Sequence, residues 1–556
     1  MHRARSRSPA SWSFVTGGVL IVVGLAVPTR VWIDGLTSPA TPQLLQGALL
    51  FRAGLLALGI FIIFVARFMT PVAAPDSPDH RPSQQSLPPA LGAILAAALA
   101  LRLYGLNSGF WHDEILTLVN YARLPFGAIV TTYGDQNQHI LYSILAHGSI
   151  EAFGESNWAL RLPAALFGVA GIWALYALGA LVADRREALF AAAFLAASYH
   201  HIWFSQNARG YTGLLFWALL SSWLLLRGIR ASTSSIWVAF AAATALGVYT
   251  HLTMLFVVAG QFSVFAAEWY RRRGDVWPGR WPGLLVGFGL AGMLSFQLHA
   301  LMLPQILLRA ATEGSVVATW MNPLWTIAEI ARSFQFGAAG LVVGVAAAVV
   351  MGIGARSYAR SEPAILQLLI IPPALCAAVM IGLGHHLWPR LFFFSAGFGV
   401  LVVVRGTVEA GRFLAPAVGW PASRAPTVGG TLCTLLILAS LVSAPRAYLP
   451  KQDYAGALGF IEEQRRAGDV VIAVGLAAIP AKELYGMDWE YVDSAAALEA
   501  ARSPDGRTWL LYTFPVQAFE LYPDVMRIVE RDFEIVGEFP GTVGDGTIVV
   551  CRTVEQ

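Results

Sequence analysis

Residues 163–187 read PAALFGVAGIWALYALGALVADRRE, and this stretch decides the fold class. Twenty residues from Pro163 to Val182 carry no charge. A hydrocarbon core about 30 Å thick takes roughly 20 apolar residues of helix, so the run is long enough to span. Arg185 and Arg186 follow at once, and arginine beside a span marks its cytoplasmic end.

The same unit recurs along the chain. Apolar runs at 13–32, 44–68, 89–106, 163–182, 188–204, 212–228, 236–250, 252–270, 283–303, 337–354, 364–384, 391–408 and 428–446 predict about thirteen transmembrane helices. With the arginine-rich N-terminus in the cytoplasm, the connections at 183–187, 227–231 (RGIRA), 271–280 (RRRGDVWPGR), 355–362 (ARSYARSE) and 405–424 all fall inside. Each is arginine-rich, and the opposite loops carry only scattered arginines. The start, MHRARSRSPASW, reads as the flank of a retained first span rather than a signal peptide.

Composition agrees. Of 556 residues, 56% are hydrophobic and 13% charged, where a soluble domain carries about 25%. A net charge of +3 supports no nucleic-acid partner. Cys376, Cys433 and Cys551 have neither metal-type spacing nor the pattern of a disulfide framework.

The expected fold class is an all-α polytopic membrane bundle with a small C-terminal α/β domain. Residues 1–69 form a two-helix membrane hairpin without distinctive polar residues. Residues 70–88, reading TPVAAPDSPDHRPSQQSLP, are a proline- and serine-rich cytoplasmic linker. Residues 89–449 are the main bundle, with long outward loops at 107–161 and 304–337. Residues 450–556 alternate helix (453–466, 494–502, 516–531) with strand (469–475, 507–514, 534–539, 547–551), and thirteen spans place them outside. Long structured loops on one face suggest that the chemistry sits there.

Six constellations lie on that outer face. In GFWHDEILTLVNYARLP (109–125), Asp113 and Glu114 follow two aromatic residues suited to the headgroup layer. Asp113 as an N-cap of the following helix, with Glu114 favoured by the helix dipole, competes evenly with Asp113 as a general base at the lipid–water boundary. DQNQHILYSIL (135–145) offers Gln138, His139 and Tyr142; SNWALRLPAALFG (156–168) offers Arg161; SYHHIWFSQNARGYTG (198–213) offers His200, His201, Gln206, Arg209 and Tyr211; YTHLTM (249–254) offers His251; GHHLWPRLFFF (384–394) offers His385, His386 and Arg390. Taken singly, a loop-end histidine or a snorkelling arginine is the commoner explanation. Together the outward arginines suit a phosphate. Spans nearly free of buried charge argue against an ion-coupled transporter.

The order WHDE, RLPAALFG, SQNARGY, YTH and PRLFFFSAG resembles the GT-C membrane glycosyltransferases, and within them the protein O-mannosyltransferases and the lipid A aminoarabinose transferase, over roughly 89–410. The resemblance implies a GT-C fold, a polyprenyl-phosphate sugar donor and an extracytoplasmic acceptor (glycan, lipid or protein), with inversion. It assigns catalysis to Asp113, with Glu114 beside it, and lipid-phosphate binding to Arg209, Tyr211 and Arg161, with His139, Tyr142, His251 and Arg390 alongside. The first loop departs from the family's His-Pro-Pro-Leu-Tyr-Tyr, reading QHILYSIL, and Asn207 stands where SQ-Glu-AR is usual. No cofactor is certain, and a divalent cation remains open. The competing functions are a polyprenyl-lipid flippase or transporter and another lipid-linked phosphotransferase or ligase.

Overall fold

The computed structural model describes residues 9–36, 41–66, 88–231, 233–312, 314–333, 340–503 and 506–554. The expected linker at 70–88 lies outside these apart from Pro88. Eight of the described helices are long and apolar enough to cross a membrane: Pro42–Val65, Asn157–Val182, Tyr211–Ala231, Pro282–His299, Val342–Ser361, Pro363–Gly382, Pro389–Ala417 and Ala422–Tyr448. Shorter apolar helices run over Trp12–Ala26, Pro89–Leu103, Ile140–Phe153 and Ser234–Thr250. The chain is thus a multi-pass membrane protein, with eight helices of spanning length among the described residues beside the thirteen spans expected.

Two departures have local causes. The expected span at 188–204 is two helices, Arg185–Ala197 and Tyr199–Ser205. Ser198 between them is extended, and its Oγ accepts from the backbone N–H of His201 as an N-cap. Arg102, inside the helix Pro89–Leu103, is a buried charge that hydropathy reading passed over. Its guanidinium donates to the carbonyls of Ala98 (2.9 Å) and Ala196 (3.2 Å) and to Ser205 Oγ (3.2 Å). It therefore satisfies the open C-terminal carbonyls of the neighbouring helix.

The N-terminal hairpin is also more specific than expected. Arg52 donates from Nε to the Gly24 carbonyl (3.2 Å) and from Nη1 to Thr29 Oγ1 (2.9 Å), closing the end of the helix Pro9–Ala26. Elsewhere helices meet backbone to backbone. A Cβ on Gly406 would overlap the Val350 carbonyl, and one on Gly354 the Val402 carbonyl, where Gly340–Ser361 crosses Ala396–Ala417. Small residues permit this approach, and packing rather than hydrophobicity holds helices together in lipid.

The C-terminal region carries a five-stranded sheet in the order β2-β1-β3-β5-β4. Its strands are β1 Val470–Val474, β2 Glu490–Val492, β3 Thr508–Thr513, β4 Phe533–Phe539 and β5 Ile548–Thr553. β1 pairs parallel with β2 and β3, while β5 pairs antiparallel with β3 and β4. β2 is three residues long, too short to show a period in the sequence. The expected helix 516–531 is split into Pro515–Leu521 and Pro523–Asp532, because Pro523 lacks the N–H that would continue the first helix.

One hydrophobic core joins this domain to the loop at 107–161. Ile115, Leu118, Tyr142, Ile150 and Leu160 pack in the same cluster as Tyr454, Ile461, Val471, Trp509 and Val550. The loop at 304–337 is tied to that at 107–161 by Gln305, which accepts from the Tyr133 N–H (2.8 Å) and donates to the Thr131 carbonyl (2.7 Å).

Gly406→Leu is expected to destabilise the protein by about 1–3 kcal/mol or more through overpacking. A lowered thermal unfolding midpoint in detergent would register it, whereas an unchanged midpoint would contradict the backbone-to-backbone crossing.

Candidate active site

The acidic pair sits on a short helix, His112–Thr117, that runs into a π-helical turn at Leu118–Ala122. Successive residues on a helix point about 100° apart, so the two carboxylates face different surroundings. Glu114 turns inward and is fully buried, as is Arg161, its partner (both side chains 0% exposed). Glu114 Oε1 accepts from Arg161 Nε (2.7 Å) and the Ala208 N–H (2.6 Å). Oε2 accepts from Arg161 Nη2 (2.6 Å) and the Trp111 N–H (3.3 Å). The last bond is half of a capping box, so the capping expected of Asp113 falls to Glu114.

Arg161 is equally committed. Nη1 donates to the carbonyls of Leu106 (3.0 Å) and Ser108 (2.6 Å), and Nη2 to that of Gly109 (2.8 Å). One ion pair thus binds together three motifs: the start of the first loop, RLP and SQNAR. Burial alone would raise the Glu114 carboxyl. The charges of Arg161 and Lys451 and the bonds from Arg161 and Ala208 outweigh that and hold it below its ordinary value.

Asp113 faces the other way and stays partly exposed. Its Oδ2 lies 3.5 Å from Nη1 of Arg209 and 3.4 Å from Nη1 of Arg390. Arg209 is buried beside the Tyr211 ring, 5.7 Å from its centroid. Among the described residues, Nε and Nη1 of Arg209 make no close hydrogen bond, Nη1 being held in the ion pair with Asp113 and Nη2 lying 3.3 Å from His139 Nε2. Arg390 lies over the rings of Trp388 (4.8 Å) and Trp111 (5.8 Å) and is more accessible.

His139, Tyr211 and His251 form the wall behind Arg209. The His139 ring is 4.5 Å from that of His251 and edge-on to Tyr211 at 5.2 Å. His139 Nδ1 accepts from the Gly210 N–H at 2.7 Å, which orients the short turn carrying Arg209. Burial, together with the charges of Arg209, His251 and Arg390, holds the His139 imidazole well below its ordinary value. Burial and the same two arginines push His251 down to about 3. Both are therefore neutral at physiological pH.

The structure brings Asp113, Arg209, Tyr211, His139, His251 and Arg390 around one site. It sets Glu114, Arg161 and Tyr142 behind it. Tyr142 is buried and donates to the Leu160 carbonyl at 2.5 Å. Three groups escaped the sequence reading. Asp135 accepts from Tyr121 Oη (2.8 Å) and acts electrostatically on Arg209. Asn207 Oδ1 accepts from Trp111 Nε1 (3.1 Å). Lys451 reaches in from the C-terminal domain, and its Nζ donates to the Gln206 carbonyl (2.7 Å). The signal for Lys451 was its rarity, since Lys482 is the only other lysine in the chain. Among the described residues no three His, Cys, Asp or Glu side chains gather as a metal site.

Residues 138–291 match the family described as dolichyl-phosphate-mannose-protein mannosyltransferases. That stretch holds His139, Arg161, Arg209, Tyr211 and His251. Over those 154 of its 556 residues the chain is similar to that family. Among solved structures, this chain is similar to apo ArnT from Cupriavidus metallidurans, with 14% identity, 84% of this chain and 98% of that chain covered, and a TM-score of 0.48. The oligosaccharyltransferase of Archaeoglobus fulgidus with zinc and sulfate aligns at 10% identity, 83% and 74% coverage, and a TM-score of 0.46. The arabinosyltransferase EmbB from Mycobacterium smegmatis aligns at 12% identity, 71% and 44% coverage, and a TM-score of 0.45. No curated protein matches the chain.

Glu114→Gln leaves Arg161 buried without its counter-charge and is expected to cost about 3–5 kcal/mol. Replacing both residues with methionine should cost less than either single change, and a thermal-unfolding double-mutant cycle measures this. The folded Glu114 carboxyl lies below its ordinary value, so its stabilisation is complete above about pH 4.3. It is lost as pH falls through the lower folded value, and thermal unfolding followed from neutral pH downward should show the decline in wild type but not in the double variant.

Proposed function

We propose that the protein is a membrane glycosyltransferase of the GT-C type that moves a sugar, with inversion, from a polyprenyl-phosphate donor to a hydroxyl acceptor on the extracytoplasmic side of the plasma membrane. The arginine-rich loops then face the cytoplasm with the N-terminus, and the site and C-terminal domain face outward. The observation that carries this reading is the Asp113 carboxylate held between Arg209 and Arg390, 3.5 and 3.4 Å away.

The chemistry follows from the charges. Arg161 has its donors committed to Glu114 and to loop carbonyls. It serves as framework, and a donor phosphate is left with Arg209 and Arg390. Arg209 is buried with a long, 3.5 Å ion-pair contact to Asp113, and an incoming phosphate oxygen would give its Nε and Nη1 a closer charged acceptor. As phosphate engages both arginines, their hold on Asp113 weakens. The carboxylate then accepts the proton of the acceptor hydroxyl. The acceptor oxygen forms its bond to the anomeric carbon as the bond to the phosphate oxygen breaks, and the departing phosphate keeps the electron pair. Arg209 and Arg390 offset the charge that grows on it. Neutral His139 and His251 add no competing cation and shape the wall beside Arg209.

The matched family, named for a dolichyl-phosphate donor, supports the polyprenyl-phosphate choice. Glu114 serves here as a positioning residue, because its oxygens are already taken by four donors.

The test is a panel of radiolabelled polyprenyl-phosphate sugars incubated with purified protein and envelope acceptors. One donor should be consumed. Asp113→Asn should lower transfer about 10²–10⁴-fold, the range for losing a general base, with donor binding kept within a few-fold. Full transfer by that variant would sink the mechanism. Arg209→Gln should weaken binding of undecaprenyl phosphate by about ten- to a hundredfold, as expected for a lost charged hydrogen bond, measured by fluorescence titration.

A further inference from the structure

We infer that the C-terminal domain is a working part of the active site, and that Gln452 and Lys451 are positioning residues for the Asp113–Arg209 pair. The inference rests on the reading of Asp113 as the reacting carboxylate. It goes beyond that reading by giving a role to a domain the mechanism does not otherwise use.

Gln452 is buried and links the sheet to the helix that carries Asp113. Its Oε1 accepts from the backbone N–H of His112 at 2.8 Å, one residue before Asp113. Its Nε2 donates to Thr513 Oγ1 at the end of β3, at 2.6 Å. The N–H groups of a helix's first turn have no partner within the helix. Here a residue 340 positions away supplies one. Beside it, the Phe514 ring meets His112 edge-on at 5.6 Å. Phe514 has φ 52, a left-handed conformation for a non-glycine residue. Such a conformation persists only where the surroundings over-determine it, and it clusters at functional sites.

Lys451 holds the other half of the pair. Its Nζ donates to the Gln206 carbonyl at 2.7 Å, three residues before Arg209. It also lies 5.4 Å from the centre of the Trp203 ring. Trp203 in turn donates from Nε1 to Thr542 Oγ1 (2.9 Å), and the Val543 N–H donates to the Lys451 carbonyl (3.2 Å). Two adjacent residues of one domain therefore grip the two separate segments whose charged side chains meet 3.5 Å apart. Burial of Lys451 draws its ammonium down to about 7 against the pull of Glu114. A lysine is an expensive choice for a merely structural contact at this position.

The experiment uses full-length protein in detergent with Gln452→Met, Lys451→Met and Lys451→Arg. Two readouts are taken: transfer kinetics with the donor identified by the panel, and amide hydrogen exchange. Each methionine variant should lower the rate at saturating donor about tenfold or more, the scale of a small misplacement of reacting groups. The KM for donor should change by less than about threefold, well inside that loss. Exchange should rise at 112–117 in Gln452→Met and at 206–210 in Lys451→Met, while β1 and β3 stay protected. Lys451→Arg, which keeps a cation and a donor for the Gln206 carbonyl, should recover most of the rate. Unchanged rate and exchange overturn the inference, and so does a loss accompanied by exchange across the whole sheet. Asp113→Asn run alongside separates the two readings. If it keeps full transfer, the mechanism fails, and the exchange measurement still decides whether the domain holds the two segments.

Discussion

The buried pair of Glu114 and Arg161 is the constraint on which the rest of the site depends. Moving two charges out of water costs several kcal/mol per ion, and attraction repays this only when the remaining donors and acceptors are also satisfied. Here they are, by the Trp111 and Ala208 N–H groups on one side and the carbonyls of Leu106, Ser108 and Gly109 on the other. The free energy of burial is thereby turned into geometry. Three segments far apart in sequence can meet in only one arrangement.

That arrangement divides labour between neighbouring carboxylates. Glu114 faces the interior and holds the framework, and Asp113, one residue earlier, faces the two arginines. Arg161 and Arg209 divide in the same way. The first has its donors committed to close hydrogen bonds, while Nε and Nη1 of the second make none and Nη1 keeps a longer contact to Asp113. Residue type alone does not distinguish the members of either pair. The direction of each side chain and the company it keeps do.

The membrane sets the other terms. Within hydrocarbon the helices gain little from being apolar and rely on close approach, as where Gly354 and Gly406 bring two backbones together. Outside it, water restores the ordinary hydrophobic effect. The first loop and the C-terminal domain use it to build a common core, with Leu118 and Leu160 packed alongside Trp509 and Val550. The site takes Asp113 from the loop and its aromatic wall of His139, Tyr211 and His251 from helix ends.

Much of the bundle could be read directly from the sequence, because spanning a bilayer demands long apolar runs and those runs are local. So could the neighbourhood of Asp113, Arg209 and Arg390, since charged residues on a sparse outer face have few places to go. Helix breaks and short strands were less legible. Ser198 divides a continuous apolar run by one capping bond, and β2 is a strand only because β1 lies beside it. Least legible was the difference between Asp113 and Glu114, and the part played by Lys451 and Gln452. The sequence by itself determined that a membrane bundle would carry acidic and basic groups on one face. Only the tertiary structure decided which carboxylate is buried and which is available, because that depends on donors brought from 47 and 94 residues away, and no local pattern encodes them.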